Sequence, residues 1–336
     1  MAIELSSLTF TEQDDIVPAF GVQEILNTGI TNTFGGNDII TGFGGRFSFL
    51  NYGVLNTGDG DDILTGSRDL NEFPERGGAG FRTYGSPFNT GEPYDSIIDT
   101  GSGNDIITGI AKRGVGILVT FGSTINTGDG NDTITGTATD SGIKIDNLGT
   151  IDTGNGNDII TGTGFFGFDN SSTFNTGDGN DIITGTDTTG GGYGIYNAIY
   201  EFTVNFSDSI TIDTGDGDDT ITGIGGIGIY NDETIDTGNG ADSIIAAGGF
   251  GGSGNVFLRN GKDYLKGFGS GNFNGGNGKD TLELTSGSYT LEISPVGWNF
   301  AKDGIIMNTV GFEKLIAGST IYDFSSFTTG QIITVA

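Results

Sequence analysis

A short motif, T-G-x-G-x-D followed by a pair of apolar residues, returns along most of this chain of 336 residues. It reads N-T-G-D-G-D-D-I-L-T-G from Asn56, D-T-G-S-G-N-D-I-I-T-G from Asp99 and N-T-G-D-G-N-D-T-I-T-G from Asn126. Self-similarity at a steady period is the signature of repeat architectures, in which each repeat buries its apolar side only against its neighbours. The repeat therefore predicts a solenoid.

The Asp before each apolar pair, here called the marker Asp, locates the copies. Steps between markers are 24, 43, 27, 26, 23, 38, 23, 21 and 17 residues, which gives a coil of about two dozen residues. The two long steps contain residues 67–94 and 186–205, which we interpret as excursions from the solenoid wall. The markers are Asp38, Asp62, Asp105, Asp132, Asp158, Asp181, Asp219, Asp242, Asp263 and Asp280.

Two rows of apolar residues keep a fixed place relative to the motif, so both are predicted to point into the core. Stretches such as Gly226-Ile227-Gly228-Ile229 also show the two-residue period of a half-buried strand. The first row is Ile40, Leu64, Ile107, Ile134, Ile160, Ile183, Ile221, Ile244, Leu265 and Leu282. The second row is Leu55, Ile98, Ile125, Ile151, Phe174, Ile212 and Ile235.

These patterns predict an all-β fold, a parallel β-roll or β-solenoid of about ten coils with β-rich terminal caps. Parallel strands stacked about 4.8 Å apart would make a rod on the order of 50 Å long. We place an N-terminal cap at residues 1–26, the solenoid at 27–284 and an antiparallel C-terminal β cap at 285–336.

Charge and composition limit the chemistry. The net charge is -30, from 13 Lys and Arg against 43 Asp and Glu, and such a field repels nucleic acid. No apolar run approaches the roughly 20 residues that span a bilayer, and no N-terminal signal peptide is visible. Without Cys or His, only oxygen ligands for a hard cation remain.

The motif itself supplies such oxygens. Its glycines permit positive φ, which turns consecutive carbonyls to one side, and its Asp adds a carboxylate. Calcium takes six to eight oxygens at about 2.3–2.6 Å, whereas magnesium needs a tighter octahedron. The sequence therefore favours several calcium ions per chain. The alternative is a hydrogen-bonded ladder of turns that needs no metal.

The repeat resembles the RTX (repeats-in-toxin, haemolysin-type) calcium-binding family. Residues 275–283 fit its whole nonapeptide, G-G-x-G-x-D-x-U-x, and the resemblance covers roughly residues 32–284. It implies calcium between stacked turns, with the marker Asp residues as side-chain ligands. The implied turn positions are Gly58, Gly60, Gly101, Gly103, Gly128, Gly130, Gly154, Gly156, Gly177, Gly179, Gly215, Gly217, Gly238, Gly240, Gly276 and Gly278.

Two departures from the family pattern modify that expectation. Most coils carry one motif rather than two, so calcium would line only one edge of the rod. Lys262 and Lys279 stand directly before Asp263 and Asp280, which predicts weak sites there.

The resemblance also implies a secreted or cell-surface protein exported by type I secretion, with an uncleaved signal in the tail 323–336. Because repeat and caps account for the chain, we expect a structural protein rather than an enzyme, serving assembly, matrix or adhesion. Rods would associate end to end or through bridging calcium.

Three alternatives remain open. A polysaccharide-acting enzyme on a solenoid scaffold could use Lys112 and Arg113 near Asp105. Aromatic segments at 46–49 and 165–168 could bind a cell-surface polysaccharide, although such clusters more often cover a core. Threonine rows could bind ice, although ordinary solvent-facing β-branched rows are the simpler interpretation. The rows are Thr57, Thr100, Thr127, Thr153, Thr176, Thr214 and Thr237, and Thr65, Thr108, Thr135, Thr161, Thr184 and Thr222.

Overall fold

A computed structural model describes residues 2–18, 23–68, 78–85, 96–199 and 210–336. Their regular structure consists of β-strands and two short 3-10 helices, Leu5–Ser7 and Phe324–Ser326. None of the helices described here has the length and apolar character needed to cross a membrane.

The coil formed by residues 150–170 illustrates the path of the chain through each coil. Strand Thr150–Asp152 leads into the motif turn, strand Ile159–Gly164 leaves it, and strand Phe166–Asn170 closes the coil. Equivalent strands of successive coils pair in parallel, so the coils build three walls. We call these the leading sheet (before the turn), the trailing sheet (after it) and the back sheet.

The leading and trailing sheets run the length of the rod, whereas the back sheet ends at Phe250–Gly251. The trailing sheet contains Ile16–Val17, Ile39–Phe43, Ile63–Arg68, Ile106–Ala111, Thr133–Thr137, Ile159–Gly164, Ile182–Asp187, Thr220–Ile224, Ser243–Ala247, Tyr264–Lys266, Thr281–Leu284, Lys314–Ala317 and Thr320–Asp323. The back sheet contains Ile3–Glu4, Ile25–Asn27, Phe47–Asn51, Gly78–Tyr84, Gly114–Thr120, Ser141–Asp146, Phe166–Asn170, Tyr193–Asn197, Ile227–Asn231 and Phe250–Gly251.

The leading sheet has the most strands because the C-terminal hairpins join it. It contains Ile30–Asn32, Val54–Asn56, Ile97–Asp99, Thr124–Asn126, Thr150–Asp152, Thr173–Asn175, Thr211–Asp213, Thr234–Asp236, Asn255–Phe257, Gly271–Asn274, Ile305–Val310, Trp298–Lys302, Gly287–Ile293 and Ile332–Val335. Three two-residue strands within the later turns form a small fourth sheet, Asn239–Gly240, Asn260–Gly261 and Asn277–Gly278.

Both predicted apolar rows are confirmed as the core. Every member of the row after the marker is at most 1% exposed, and every member of the row before the turn is fully buried. Strand pairing keeps equivalent residues adjacent, for example Ile134 with Ile160 and Ile125 with Ile151. The core is therefore a stack of identical apolar layers, as the fixed spacing of the rows requires.

A glycine in the trailing strands brings two walls together. A Cβ on Gly162 would lie 2.0 Å from the carbonyl oxygen of Gly167 in the back sheet, and Gly185 has the same relation to Gly194 at 2.1 Å. Any side chain there would separate the sheets, which explains the Gly in the recurrent I-T-G.

The predicted excursions are shorter than expected. The first range, 67–94, contains the end of the trailing strand Ile63–Arg68 and the whole back-sheet strand Gly78–Tyr84. The second range, 186–205, contains the back-sheet strand Tyr193–Asn197. Residues 81–84 pair in register with 117–120 of the next coil, so the wall continues through them. Residues 69–77, 86–94 and 200–205 of those ranges lie outside the described residues.

The terminal segments extend the walls. Ile3–Glu4 and Ile16–Val17 pair in parallel with the first back and trailing strands that follow. At the other end the hairpins are antiparallel, as the sequence predicts, but Ile305–Val310 and Lys314–Ala317 also add one parallel rung to the leading and trailing sheets. Tyr289 and Phe300 are fully buried in this cap, whereas Trp298 lies at its margin and contacts Phe327.

Candidate metal centre

The motif turns stack along one edge of the rod, between the leading and trailing sheets. Both glycines have positive φ, from 68° to 94° for the first and from 141° to 157° for the second, across the sixteen turn positions named from the sequence. A Cβ on Gly156 would lie 1.4 Å from the carbonyl oxygen of Gly130 in the preceding coil. Glycine is therefore required both by conformation and by the close approach of consecutive turns.

All ten marker Asp residues point inward and are at most 1% exposed. Each backbone N–H donates to Oδ1 of the marker in the next coil, for example Asp132 to Asp158 at 2.7 Å and Asp158 to Asp181 at 2.8 Å. The pattern continues without a break from Asp38 to Asp280. The markers thus form one directional hydrogen-bonded ladder, as the metal-free alternative expects.

The second carboxylate oxygen of the markers, Oδ2, does not accept a hydrogen bond from this backbone ladder. Among the described residues, Oδ2 is buried without a hydrogen-bond partner in nine of the ten markers, Asp242 being the exception. In that coil Thr237 Oγ1 donates to Asp242 Oδ2 at 2.7 Å. A buried unpaired oxygen on an ionised group is costly, so this row of Oδ2 atoms needs protons or cations.

Burial controls the protonation of this ladder. It raises the pKa of Asp105, Asp132, Asp158 and Asp181 to about 6, and adjacent marker carboxylates add to the shift. The nearby hydroxyl of the turn threonine and the hydrogen bond from the neighbouring backbone N–H both oppose this rise. Burial likewise raises the pKa to about 7 at Asp62, Asp219, Asp242 and Asp263. Asp38 and Asp280, at the ladder ends, shift in the same direction.

The exposed part of each turn reduces acidic repulsion because it mixes Asn with Asp. Before the markers, the row reads Asn37, Asp61, Asn104, Asn131, Asn157, Asn180, Asp218 and Ala241. The backbone N–H of each residue in this row donates to Oδ1 of the equivalent residue in the preceding coil, as from Asn131 to Asn104 at 2.9 Å. These hydrogen bonds therefore run in the opposite direction to those of the marker ladder. Between the glycines, Asn155 Nδ2 donates to Asp129 Oδ1 at 2.8 Å. The buried row, in contrast, has an Asp in each of its ten coils.

The turn threonines do not face solvent. Thr57, Thr100, Thr127 and the equivalent residues through Thr237 are fully buried, so both proposed roles for this row, solvent rank and ice-binding surface, are wrong. Thr153 follows Ile151 and Asp152 in strict alternation and so continues the inward side of the leading strand. Its Oγ1 donates to the carbonyl oxygen of Thr176 at 3.2 Å, which makes a second internal ladder.

Residues outside the motif complete these ladders. The backbone N–H of Asp15 donates to Asp38 Oδ1 at 2.7 Å, and Glu313 Oε2 accepts from the backbone N–H of Asp280 at 2.7 Å. Sequence analysis missed both, because neither residue is preceded by the T-G-x-G of the motif. The signal that could have found them is the marker spacing, since Asp15 and Glu313 stand two residues before the inward residues Val17 and Leu315.

Several other sequence-based interpretations can be compared with the geometry. Lys262 and Lys279 are exposed, whereas Asp263 and Asp280 are buried, so the ammonium groups lie outside the ladder. Phe49 and Phe168 are core residues, while Phe47 and Phe166 are half-buried.

The structure does not bring together Asp105 and Lys112, which the sequence suggested as part of a catalytic site. Asp105 precedes the strand Ile106–Ala111 and Lys112 follows it. A strand of this length separates its ends by about 20 Å. The two side chains therefore do not belong to one site.

Calcium can be tested against the donors present. The described residues contain no group of three or more Asp or Glu side chains arranged around one point. Each turn instead offers one buried Oδ2 and backbone carbonyls, including that of the second glycine. In the turns from Gly36 to Gly217 this carbonyl accepts no hydrogen bond from described residues. The donors are hard oxygens only and suit calcium better than a softer metal.

Comparisons with known proteins add little. No protein-family model matches the chain, and no curated protein matches it. One similar solved structure is described as a hyperactive, Ca2+-dependent, beta-helical antifreeze protein from an Antarctic bacterium. It is 16% identical with a TM-score of 0.41, and the alignment covers 94% of each chain. At this level the similarity says nothing about what the present chain binds.

Proposed function

We propose that this chain is a calcium-dependent structural rod. The supporting observation is the row of buried marker Oδ2 atoms, nine of which have no hydrogen-bond partner among the described residues. Ten carboxylates in consecutive layers about 4.8 Å apart repel one another at neutral pH unless positive charge is placed between them.

The residues proposed to hold the ions are the marker Asp side chains with the carbonyls of the turn glycines. Bound calcium would supply the positive charge that the buried ladder lacks. Metal binding would then be coupled to folding, because the stack of turns exists only in the folded chain. Affinity should lie in the range of extracellular modules, with Kd roughly 10⁻⁴–10⁻³ M.

The proposed location follows from that affinity. A chain that needs calcium at this level would stay unfolded where calcium is scarce and fold where calcium is abundant. We therefore propose a secreted or cell-surface protein, with export by type I secretion and residues 323–336 as the signal. Deletion of those residues should abolish export, but it also removes the buried Phe324 and Ile333 from the cap. Export of a carrier protein fused to residues 323–336 therefore tests the signal separately from the stability of the cap, and a carrier that stays inside the cell would contradict the proposed signal.

We propose a structural rather than catalytic role. The marker carboxylates are engaged with backbone N–H groups along the whole ladder, and the chain has neither His nor Cys. Assembly, matrix or adhesion remains the proposed use, with self-association or a cell-surface polysaccharide as candidate partners.

End-to-end association is supported by the N-terminal edge. Ile30–Asn32 is the first strand of the leading sheet, and Ile30 is 67% exposed. An unpaired sheet edge is a template for another chain. Deleting residues 1–26 should change the oligomer size at millimolar calcium, and light scattering that shows the same monomer in both proteins would remove the filament proposal.

Isothermal calorimetry tests the calcium proposal directly. Titration with calcium should show several cooperative sites per chain, while magnesium at equal concentration should bind weakly. Binding of neither ion, or equal binding of both, would contradict the proposed selectivity.

A further inference from the structure

The outer face of the trailing sheet carries no charge over eight consecutive coils. Three outward residues per coil stand in register, forming three straight ranks. We call this surface the neutral face. Its ranks are Ile39, Ile63, Ile106, Thr133, Ile159, Ile182, Thr220 and Ser243; Thr41, Thr65, Thr108, Thr135, Thr161, Thr184, Thr222 and Ile245; and Phe43, Ser67, Ile110, Thr137, Thr163, Thr186, Ile224 and Ala247.

Neutrality here contrasts with the rest of the molecule, which has a net charge of -30. The middle rank continues beyond Ile245 with Lys266 and Glu283, whose side chains form an ion pair at 2.8 Å. Charged residues are therefore compatible with this strand position. The backbone fold therefore does not account for the absence of charged residues from this face over eight coils.

The neutral face is accessible to solvent. Ile106, Ile110, Ile159 and Ile182 are between 38% and 44% exposed, and the middle-rank threonines are half-buried. Successive side chains of a strand alternate in direction, so all three ranks project from the same side of the sheet.

Two kinds of partner fit this surface poorly. Protein interfaces depend on protruding Trp, Tyr and Arg anchors, and Thr is under-represented among their energetically important residues. An anionic polysaccharide or nucleic acid would require Lys or Arg, and none of the three ranks contains either.

Regular ranks of threonine fit ordered water. Parallel pairing repeats each hydroxyl and methyl at about 4.8 Å along the rod. This repeat is close to that of oxygen atoms along the basal axes of hexagonal ice. The hydroxyls can join such a lattice, and the methyl groups of Thr and Ile can fill its spaces without competing for hydration.

We propose that the neutral face binds the surface of ice. This inference concerns a surface separate from the aspartate turns and goes beyond the calcium-dependent structural role. It requires a folded rod, so each measurement is made on the full chain at saturating calcium, with folding confirmed by circular dichroism. A folded protein without ice affinity would overturn the inference and leave the calcium proposal intact.

Thermal hysteresis and incorporation into a growing single ice crystal provide the test. The unaltered chain should show both. Thr161→Lys places a charge in the middle rank and should reduce hysteresis by about tenfold or more, because an unpaired ion resists loss of its hydration. Thr173→Lys makes the same change on the exposed side of the leading sheet and should have no effect.

Other results would contradict the inference. Equal loss in both lysine variants would show that the neutral face is not the contact surface. A dimer that Thr161→Lys converts to a monomer, with no hysteresis in either form, would assign the face to a second copy of this chain. If Thr161→Lys does not fold, Thr161→Val keeps the shape, removes the hydroxyl and should still lower hysteresis.

Discussion

The backbone N–H of Asp132 donates to Oδ1 of Asp158 at 2.7 Å, while Oδ2 of Asp158 is buried without a hydrogen-bond partner among the described residues. One half of each marker carboxylate therefore holds adjacent coils together, and the other half is a potential ligand. This division lets a single residue serve both the hydrogen-bonded ladder and the proposed calcium site.

Asp158→Asn separates these two roles. The amide oxygen can still accept from Asp132, but the charged oxygen is lost, so the midpoint calcium concentration for folding should rise. Without calcium the same variant should be more stable than the unaltered chain by about 1–3 kcal/mol, because a buried uncompensated charge is removed. Calcium titration followed by circular dichroism measures the first effect, and titration with a stabilising osmolyte in chelator, which drives the calcium-free chain to fold, measures the second.

Asp140→Asn is the matched control, since Asp140 is exposed in a connection outside the ladder. It should leave the calcium midpoint unchanged. Asp38→Asn, at the end of the stack, should have a smaller effect than Asp158→Asn. Equal shifts in all three variants would argue against ligands in the ladder.

The calcium-free chain should become more stable as pH falls. Burial raises the pKa of Asp132 and Asp158 to about 6 and of Asp219 to about 7, above the ordinary value near 4. Between the ordinary pKa near 4 and the raised pKa of about 6 to 7, the folded chain binds more protons than the unfolded chain. The free energy of unfolding therefore falls as pH rises through about 4 to 7. Circular dichroism in chelator from pH 4 to pH 8 measures this as a loss of β-structure with rising pH, and more β-structure at pH 8 than at pH 5 would contradict it.

Gly156→Ala should be strongly destabilising. Its φ is 148°, and the added Cβ would lie 1.4 Å from the carbonyl oxygen of Gly130. We expect a loss of at least about 2 kcal/mol in calcium, measured by chemical denaturation. Gly191→Ala is the control, because a Cβ there meets nothing within 4 Å. Tolerance of Gly156→Ala would show that the turns do not approach as described.

Glu313 should stabilise the C-terminal end of the ladder. Glu313→Ala leaves the backbone N–H of Asp280 without its acceptor and should cost about 1–3 kcal/mol, whereas Glu313→Gln keeps an acceptor and should cost less. Glu292→Ala changes an exposed Glu in the same cap and serves as control. Similar melting temperatures for the two Ala variants would remove this role.

The repeat allowed the architecture and core to be predicted because each turn, strand and apolar row has a fixed spacing. Ile134 and Ile160 point inward as expected, since one-residue alternation leaves no other choice once the markers are aligned. The division into three walls was harder to see. Gly78–Tyr84 belongs to the back sheet, but its coil is interrupted on both sides by non-repetitive sequence.

Side-chain direction at the turns was the main error. A threonine such as Thr153 stands between a polar Asp and a glycine, a context that suggests solvent, yet it continues the inward alternation of the preceding strand. The roles of Asp15 and Glu313 depend on contacts between residues more than 20 positions apart. Both residues keep the marker spacing before an inward apolar residue, but without the glycine motif this spacing alone does not distinguish them from other acidic residues.

Calcium titration of the chelated chain at low ionic strength, followed by circular dichroism and hydrodynamic radius, tests the central claim most directly. We predict an expanded, largely disordered chain in chelator that gains β-structure and contracts cooperatively as calcium approaches the millimolar range. A chain with the same spectrum and radius in excess chelator and in millimolar calcium at neutral pH would contradict the account.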